Sequence, residues 1–254
     1  MNKAASYSKI PAILGIMFLC IACALCALLW FWGESAQTLP SPTLSAEEQT
    51  TDDDGFPDID WNYWLSVNSD IIGWITIEGT TVNNPIVQAH ANKPNYYLKH
   101  DVYGNYSPYG SIYLDAECEK YGLSSKNAVI MGHHFGYNNP SEYHYEVAPF
   151  TVLVKYHDAS FAEEHKTVLI QTPNSKMIYE ARFTQIVNGA AASKRTSFES
   201  EEDYREWYME ARNDAVMLLD GDTEPNQTIS LVSCSYYIWV SNERTIVTAS
   251  SVLM

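Results

Sequence analysis

Thr228-Ile-Ser-Leu-Val-Ser-Cys234 is an alternating, β-branched run that ends on a thiol. Ser230, Val232 and Cys234 share one parity, so an extended chain puts them on one face and brings the thiol out where the strand ends. A second strand-like run, Asn242-Glu-Arg-Thr-Ile-Val247, follows it and carries Arg244 near its start. A third, Ala128-Val-Ile-Met131, lies far upstream and leads into Gly132-His-His134. Together these runs offer a nucleophile, a proton carrier and a fixed cation. A nucleophilic thiol needs a neighbour that exchanges a proton, and a developing oxyanion needs a donor that keeps its charge. Arginine suits the second task because its rigid fork is never deprotonated in proteins. Taken singly, a cysteine is more often a small buried hydrophobe and an arginine a surface residue. Adjacent histidines on an extended chain point to opposite sides, so one of His133 and His134 faces the thiol.

Outward from these runs, short β-like segments recur at 72–77, 85–88, 111–114, 128–131, 151–156, 168–171, 176–188, 228–233 and 245–250, separated by Gly, Pro and Asn. Many short strands punctuated in this way predict an all-β sandwich or barrel with peripheral helices. Asp60 is expected to cap a short helix in which Trp61, Trp64 and Leu65 fall at i, i+3 and i+4 and pack into the core. Ser200 and Asp203 open a longer one, with acids in its first turn and Tyr204, Trp207, Tyr208, Ala211 and Ala215 along one face.

The N-terminal part has a different composition. Residues 11–32 carry no charge; as a helix they span roughly 33 Å, enough to cross a hydrocarbon core of about 30 Å. They are expected to form a transmembrane anchor. Lys3 and Lys9 precede this stretch and no acid occurs before Glu34, which keeps residues 1–10 cytoplasmic and sends the remainder outside. A cleaved signal would have a shorter apolar region of about 7–15 residues and a small-residue cleavage site, which Ser35-Ala-Gln37 matches poorly. Cys20, Cys23 and Cys26 lie inside the apolar stretch, where thiols behave as small hydrophobes rather than zinc ligands. Residues 33–57, with Pro40, Pro42, Pro57 and Asp52-Asp-Asp54, read as a solvated acidic stalk. Residues 58–254 are left as the folded domain.

The formal net charge is −16, and the only charges ahead of Glu34 are positive, so the part beyond it is more acidic still. Such a surface repels phosphate backbones, which excludes nucleic acid as a partner. His90, His100, His144, His157 and His165 show no ligand spacing, and no metal is expected.

In order and spacing, Ser230-Leu-Val-Ser-Cys234, Val129-Ile-Met-Gly-His-His134 and Glu243-Arg-Thr-Ile-Val247 resemble the sortase family, the cysteine transpeptidases of Gram-positive cell surfaces, and within it class B. Asn68-Ser-Asp-Ile-Ile-Gly-Trp-Ile-Thr-Ile77, Asn84-Pro-Ile-Val-Gln88, Tyr96-Tyr-Leu98 and Gly110-Ser-Ile-Tyr-Leu-Asp115 extend the likeness from about Trp61 to the C-terminus. The resemblance implies a closed eight-stranded β-barrel and selects His133 over His134. It casts Cys234 as nucleophile, His133 as acid and base, Arg244 as oxyanion donor, and Leu98, Ser233 and Tyr204 as substrate contacts. The helix opened by Ser200 corresponds to the one that class B sortases insert ahead of the cysteine, where it covers the barrel and shapes the substrate groove. Ser230 and Ser233 stand where the family has threonines and keep a hydroxyl. Val232 stands where class B enzymes often have a serine, so that contact is not carried over. Cys118 and Cys234 are both outside the apolar stretch, and an extracellular pair is chemically able to form a disulfide. A domain of this size builds a core without one, and the signature around Cys234 implies a free thiol.

The reaction so implied is acyl transfer without a cofactor. Cys234 attacks a threonine carbonyl in the C-terminal sorting signal of a surface protein, a thioacyl-enzyme forms, and an amine of a peptidoglycan precursor takes the acyl group. The expected location is the cell membrane, single-pass, with the catalytic domain extracellular. Two alternatives stand beside this reading: a pilin-polymerising sortase that uses a lysine amine, and a non-enzymatic surface β-domain.

Overall fold

The β-branched runs pair into one sheet of β1 (Ile71–Ile77), β2 (Asn83–Gln88), β3 (Tyr113–Leu114), β4 (Asn127–Met131), β5 (Thr167–Thr172), β6 (Ser175–Asn188), β7 (Met217–Leu218), β8 (Thr228–Ser235) and β9 (Glu243–Ser251). Its order is β5-β1-β2-β3-β4-β8-β9-β6-β7, and β5 pairs with β6 as well as with β1. Eight strands therefore close on themselves as a barrel, with β7 a short addition to β6. Closure removes the unpaired edges that an open sheet presents. A register shift between Ala181 and Phe183 lets the long β6 serve β5 with its first half and β9 along the rest. The β2–β3 and β4–β8 pairs are parallel, so the segments that follow β4 and β8 emerge at the same end of the barrel.

The computed structural model describes residues 55–136, 139–189, 194–219, 221, 225–236 and 242–252. The expected membrane anchor over 11–32, the cytoplasmic residues 1–10 and nearly all of the stalk lie outside them. Among the described residues no helix is long and apolar enough to cross a membrane.

Ile75, Ile86, Leu114, Ile130, Ile170, Leu231 and Val247 belong to the main core cluster and are fully buried. One expected strand does not form. The run 151–156 lies within a 3-10 stretch, Pro149–His157, whose Phe150, Val152, Leu153, Val154 and Tyr156 are all buried. A continuously apolar segment has no alternation to separate a strand from a buried helix, and Pro149 at its first turn favours the helical start. This stretch packs against β8 and β9, beneath the segment that carries the thiol.

Among the described residues three helices lie outside the barrel: α1 (Trp61–Val67), α2 (Ala159–Glu164) and α3 (Glu201–Asn213). Asp60 caps α1 by accepting from Tyr63 N at 2.9 Å. Trp64 is buried on Trp74, ring centroids 5.2 Å apart, but Leu65 is 41% exposed, against expectation. A helix of about two turns offers only a narrow stripe to the barrel. Trp64, Ile71, Trp74, Val87, Tyr97, Val102 and Tyr113 form a second cluster that anchors the long β2–β3 connection. In α3, Ser200 Oγ accepts from Asp203 N at 3.1 Å. Tyr204, Tyr208 and Ala211 are buried as the stripe predicts, with Trp207 and Ala215 partly so. Neither α2 nor β7 was anticipated, since both are too short to show a period.

Candidate active site

Across β8 and β9, Cys234 is the direct partner of Arg244. Residues opposed in this way project to one face and lie within reach of a long side chain. Cys234 is half-buried and its thiol is free. On the other side of β8 runs β4, with Met131 level with Val232, and Gly132 N continues the ladder by donating to Val232 O at 3.1 Å. That register carries His133 to the level of Cys234 and, by parity, to its face. Gly132 is demanded by close approach, because a Cβ there would stand 2.8 Å from the Phe150 ring. Three neighbouring strands thus bring the histidine, the cysteine and the arginine to one end of the barrel.

His133 donates from Nε2 to the carbonyl of Leu98 at 2.7 Å, and its ring meets Phe135 edge-on at 5.6 Å. His134 turns the other way and is buried between the rings of Tyr143 and Tyr236, 5.0 and 5.4 Å off. Arg244 is half-buried and donates from Nη1 to the Glu243 carbonyl at 2.9 Å. The start of β9 is pinned to the end of β6. Gly189 N donates to Asn242 O at 2.7 Å, and Asn242 Nδ2 donates to Asn188 Oδ1 at 2.9 Å.

The opposite face of the same strands is polar and closed: Ser233, Ser235, Glu243 and Thr245 are buried. Ser235 donates to Glu243 Oε1 at 2.7 Å, and His157 Nε2 meets Thr245 Oγ1 at 2.9 Å. Burial pushes the His157 imidazole below its ordinary value, and the Glu243 charge opposes that shift. On β3, burial pushes the Tyr113 phenol far above the usual tyrosine range. The charges of Asp115 and Cys234 add to this and Arg244 opposes it, so Tyr113 lies in the field of both strand partners.

Glu243, His157 and Tyr113 were not singled out from sequence. Glu243 had a signal, since 243, 245, 247 and 249 form the inward parity of β9 and a carboxylate at such a position must be paired. His157 and Tyr113 had none, because only tertiary folding brings them near the cysteine.

Of the expected substrate contacts, Leu98 is half-buried beside His133. Ser233 is 1% exposed on the face away from Cys234, and its hydroxyl has no hydrogen-bond partner among the described residues. Tyr204 is fully buried and donates to Thr228 Oγ1 at 3.2 Å. Thr228 lies at the other end of β8, roughly 20 Å from Cys234 at ~3.3 Å per residue. Parity turns Ser233 inward, and the apolar stripe of α3 that includes Tyr204 packs on the barrel instead of lining an open groove. Cys118 is a buried free thiol whose Sγ–H points to Asn127 O at 3.8 Å, and burial pushes it above its ordinary value. Among the described residues no group of His, Cys, Asp and Glu is arranged to hold a metal.

No family model matches the chain. A curated relative, sortase B of Staphylococcus aureus (strain NCTC 8325 / PS 47), is 29% identical over 186 residues, 72% of this chain and 70% of the relative. The solved Staphylococcus aureus sortase B-substrate complex superposes with a TM-score of 0.63 at 26% identity, over 75% of this chain and 83% of that one. A sortase B complexed with triglycine superposes with a TM-score of 0.61, also at 26% identity, over 75% and 84% of the two chains. In sequence and in fold the chain is similar to class B sortases, and the two likenesses together support a class B sortase-like cysteine transpeptidase.

Proposed function

We propose that Cys234, His133 and Arg244 carry out the transpeptidation and that it joins surface proteins to the cell wall. The Cys234 thiolate attacks the carbonyl of a threonine in a C-terminal sorting signal, and Arg244 donates to the oxyanion that forms. His133 protonates the departing amine, leaving a thioacyl-enzyme. An amine of a peptidoglycan precursor then attacks this thioester; its proton passes to His133 and the thiolate is released. The observation that carries this reading is the cross-strand pairing of Cys234 with Arg244, with Gly132 holding His133 level with them. A substrate and triglycine are the ligands named in the related sortase B complexes, and a short glycine peptide presents a primary amine of the kind the second step needs. Leu98 borders the proposed groove, whereas the buried Ser233 and Tyr204 are left out of it. The setting is extracellular, with residues 11–32 as the anchor, a reading supported by the uncharged stretch and by Lys3 and Lys9 before it.

The test is to incubate the detergent-solubilised chain with threonine-containing sorting peptides and follow thioacyl formation by mass spectrometry. Triglycine or a lysine-bearing peptide is then added. Cys234→Ala should form no adduct and Cys118→Ser should form it normally; the reverse would overturn the nucleophile assignment. Release by triglycine supports wall attachment, and release by the lysine side chain alone would redirect the reading to polymerisation of pilin subunits.

A further inference from the structure

A backbone carbonyl accepts hydrogen bonds and never donates, so the 2.7 Å contact between His133 Nε2 and Leu98 O requires a hydrogen on Nε2. The proton that comes and goes is then the one on Nδ1. Which nitrogen does the chemistry is thereby set by where the Leu98 carbonyl points.

That carbonyl is held from two sides. Leu98 ends the 3-10 turn Tyr96–Leu98. On one side Gly110, at φ 60°, packs so closely that a Cβ would stand 2.5 Å from Tyr97 O and 2.9 Å from Leu98 O, while Ser111 N donates to Tyr97 O at 2.9 Å. On the other side the Tyr97 ring is 2% exposed, and its hydroxyl donates to Asp70 Oδ2 at 2.7 Å and accepts from Asn68 Nδ2 at 3.0 Å. Asp70 Oδ1 meets His90 Nε2 at 3.0 Å, and His90 Nδ1 meets Glu119 Oε1 at 2.6 Å. Glu119 Oε2 in turn accepts from Ala91 N at 3.0 Å. These groups line a cavity of about 770 Å³, yet they pair with one another, which marks them as a brace rather than as open ligand contacts.

We propose that Tyr97 and Asp70 are positioning residues for the transpeptidation: through the turn they share with Leu98 they aim its carbonyl at His133 Nε2 and so reserve Nδ1 for proton exchange with the thiol and the leaving amine. This rests on the role proposed above for His133. Neither residue touches the reacting atoms. Their effect is on the orientation and tautomer of the histidine, and a displacement of about an ångström at such a group is worth up to roughly a hundredfold in rate.

The experiment combines ¹⁵N NMR of the imidazoles with steady-state kinetics on the full chain and on Tyr97→Phe, Asp70→Asn and His133→Ala. In the wild-type chain neutral His133 should be the Nε2–H tautomer; finding it as Nδ1–H overturns the inference whatever the variants do. Tyr97→Phe keeps the buried ring and loses only the hydroxyl. It should mix the two tautomers, displace the pH limb of the rate that belongs to His133, and lower kcat by roughly ten- to a hundredfold with KM little changed. Asp70→Asn should do the same more weakly, and it decides the matter if Tyr97→Phe fails to fold. Wild-type tautomer, pH profile and kcat in a folded variant refute the positioning role. Activity surviving in His133→Ala refutes instead the underlying assignment of His133.

Discussion

Cys234 and Arg244 are direct cross-strand partners on β8 and β9, which fixes the guanidinium to the same face as the thiol. A guanidinium donates two parallel hydrogen bonds, whereas a lysine ammonium is a compact charge on a flexible stem. Arg244→Lys should therefore lose much of the acylation rate although the charge is kept. Loss of one oxyanion donor costs about 2.7–4 kcal/mol, or roughly 10²–10³-fold. Single-turnover acylation with a fluorogenic sorting peptide reads this, with circular dichroism to verify the fold. Near-normal acylation in Arg244→Ala would remove the residue from the site.

Asn127 ties β4 to β8 away from the chemistry. It is 1% exposed, its Oδ1 accepts from Thr228 and Ser230 at 3.0 Å each, and its Nδ2 donates to Arg195 O at 2.8 Å. Asn127→Leu leaves two buried hydroxyls without their acceptor, and each group so stranded costs about 1–3 kcal/mol. Urea unfolding should register a loss of that order, while acylation per folded molecule stays unchanged. A stable variant with slow acylation would mean that Asn127 shapes the site itself.

Two histidines should give stability opposite dependences on pH. The contact with Glu119, and then that with Asp70, raises His90 above its ordinary value of 6.5. Its contribution is complete below that value and is lost as pH rises through the higher folded value. Burial lowers His157 from the same 6.5, with Glu243 opposing, so its contribution is present above 6.5 and is lost as pH falls through the lower folded value. Thermal melts across a pH series at low salt should show His90→Gln flattening the alkaline decline and His157→Gln flattening the acid one. An unchanged alkaline slope in His90→Gln would contradict the first assignment.

If residues 11–32 anchor the chain with its N-terminus inside, protease added to intact protoplasts should digest everything beyond Glu34. Full protection of that part would reverse the topology.

Much of the barrel was legible because period and punctuation agreed: β1 and β4 are apolar runs that stop before Glu78 and Gly132, and β8 and β9 are β-branched runs that begin just after Asn226-Gln227 and Asn242. The run 151–156 was not, since an apolar segment buried on every side carries no alternation for either geometry to claim. The caps of α1 and α3 were readable from Asp60 and Ser200, each of which accepts the expected backbone N–H. In the site, residue types together with family order were enough to point to Cys234, His133 and Arg244. Parity alone would have turned Ser233 away from the thiol, as the structure does. The partnership of Leu98 with His133 had no signature, because it is made by a backbone oxygen and every residue has one.

The parallel pairing of β4 with β8 sets a condition on when the enzyme becomes able to react. His133 and Cys234 sit on adjacent strands but are separated by about a hundred residues of chain, whose closure carries a loop entropy that local contacts do not repay. Between them lie the strands that shut the barrel. On the roles proposed above, an incompletely folded molecule therefore holds an ordinary cysteine, remote from its proton carrier even though Arg244 follows close behind it in the chain. On that reading, the capacity to attack a peptide bond arrives only with the finished barrel.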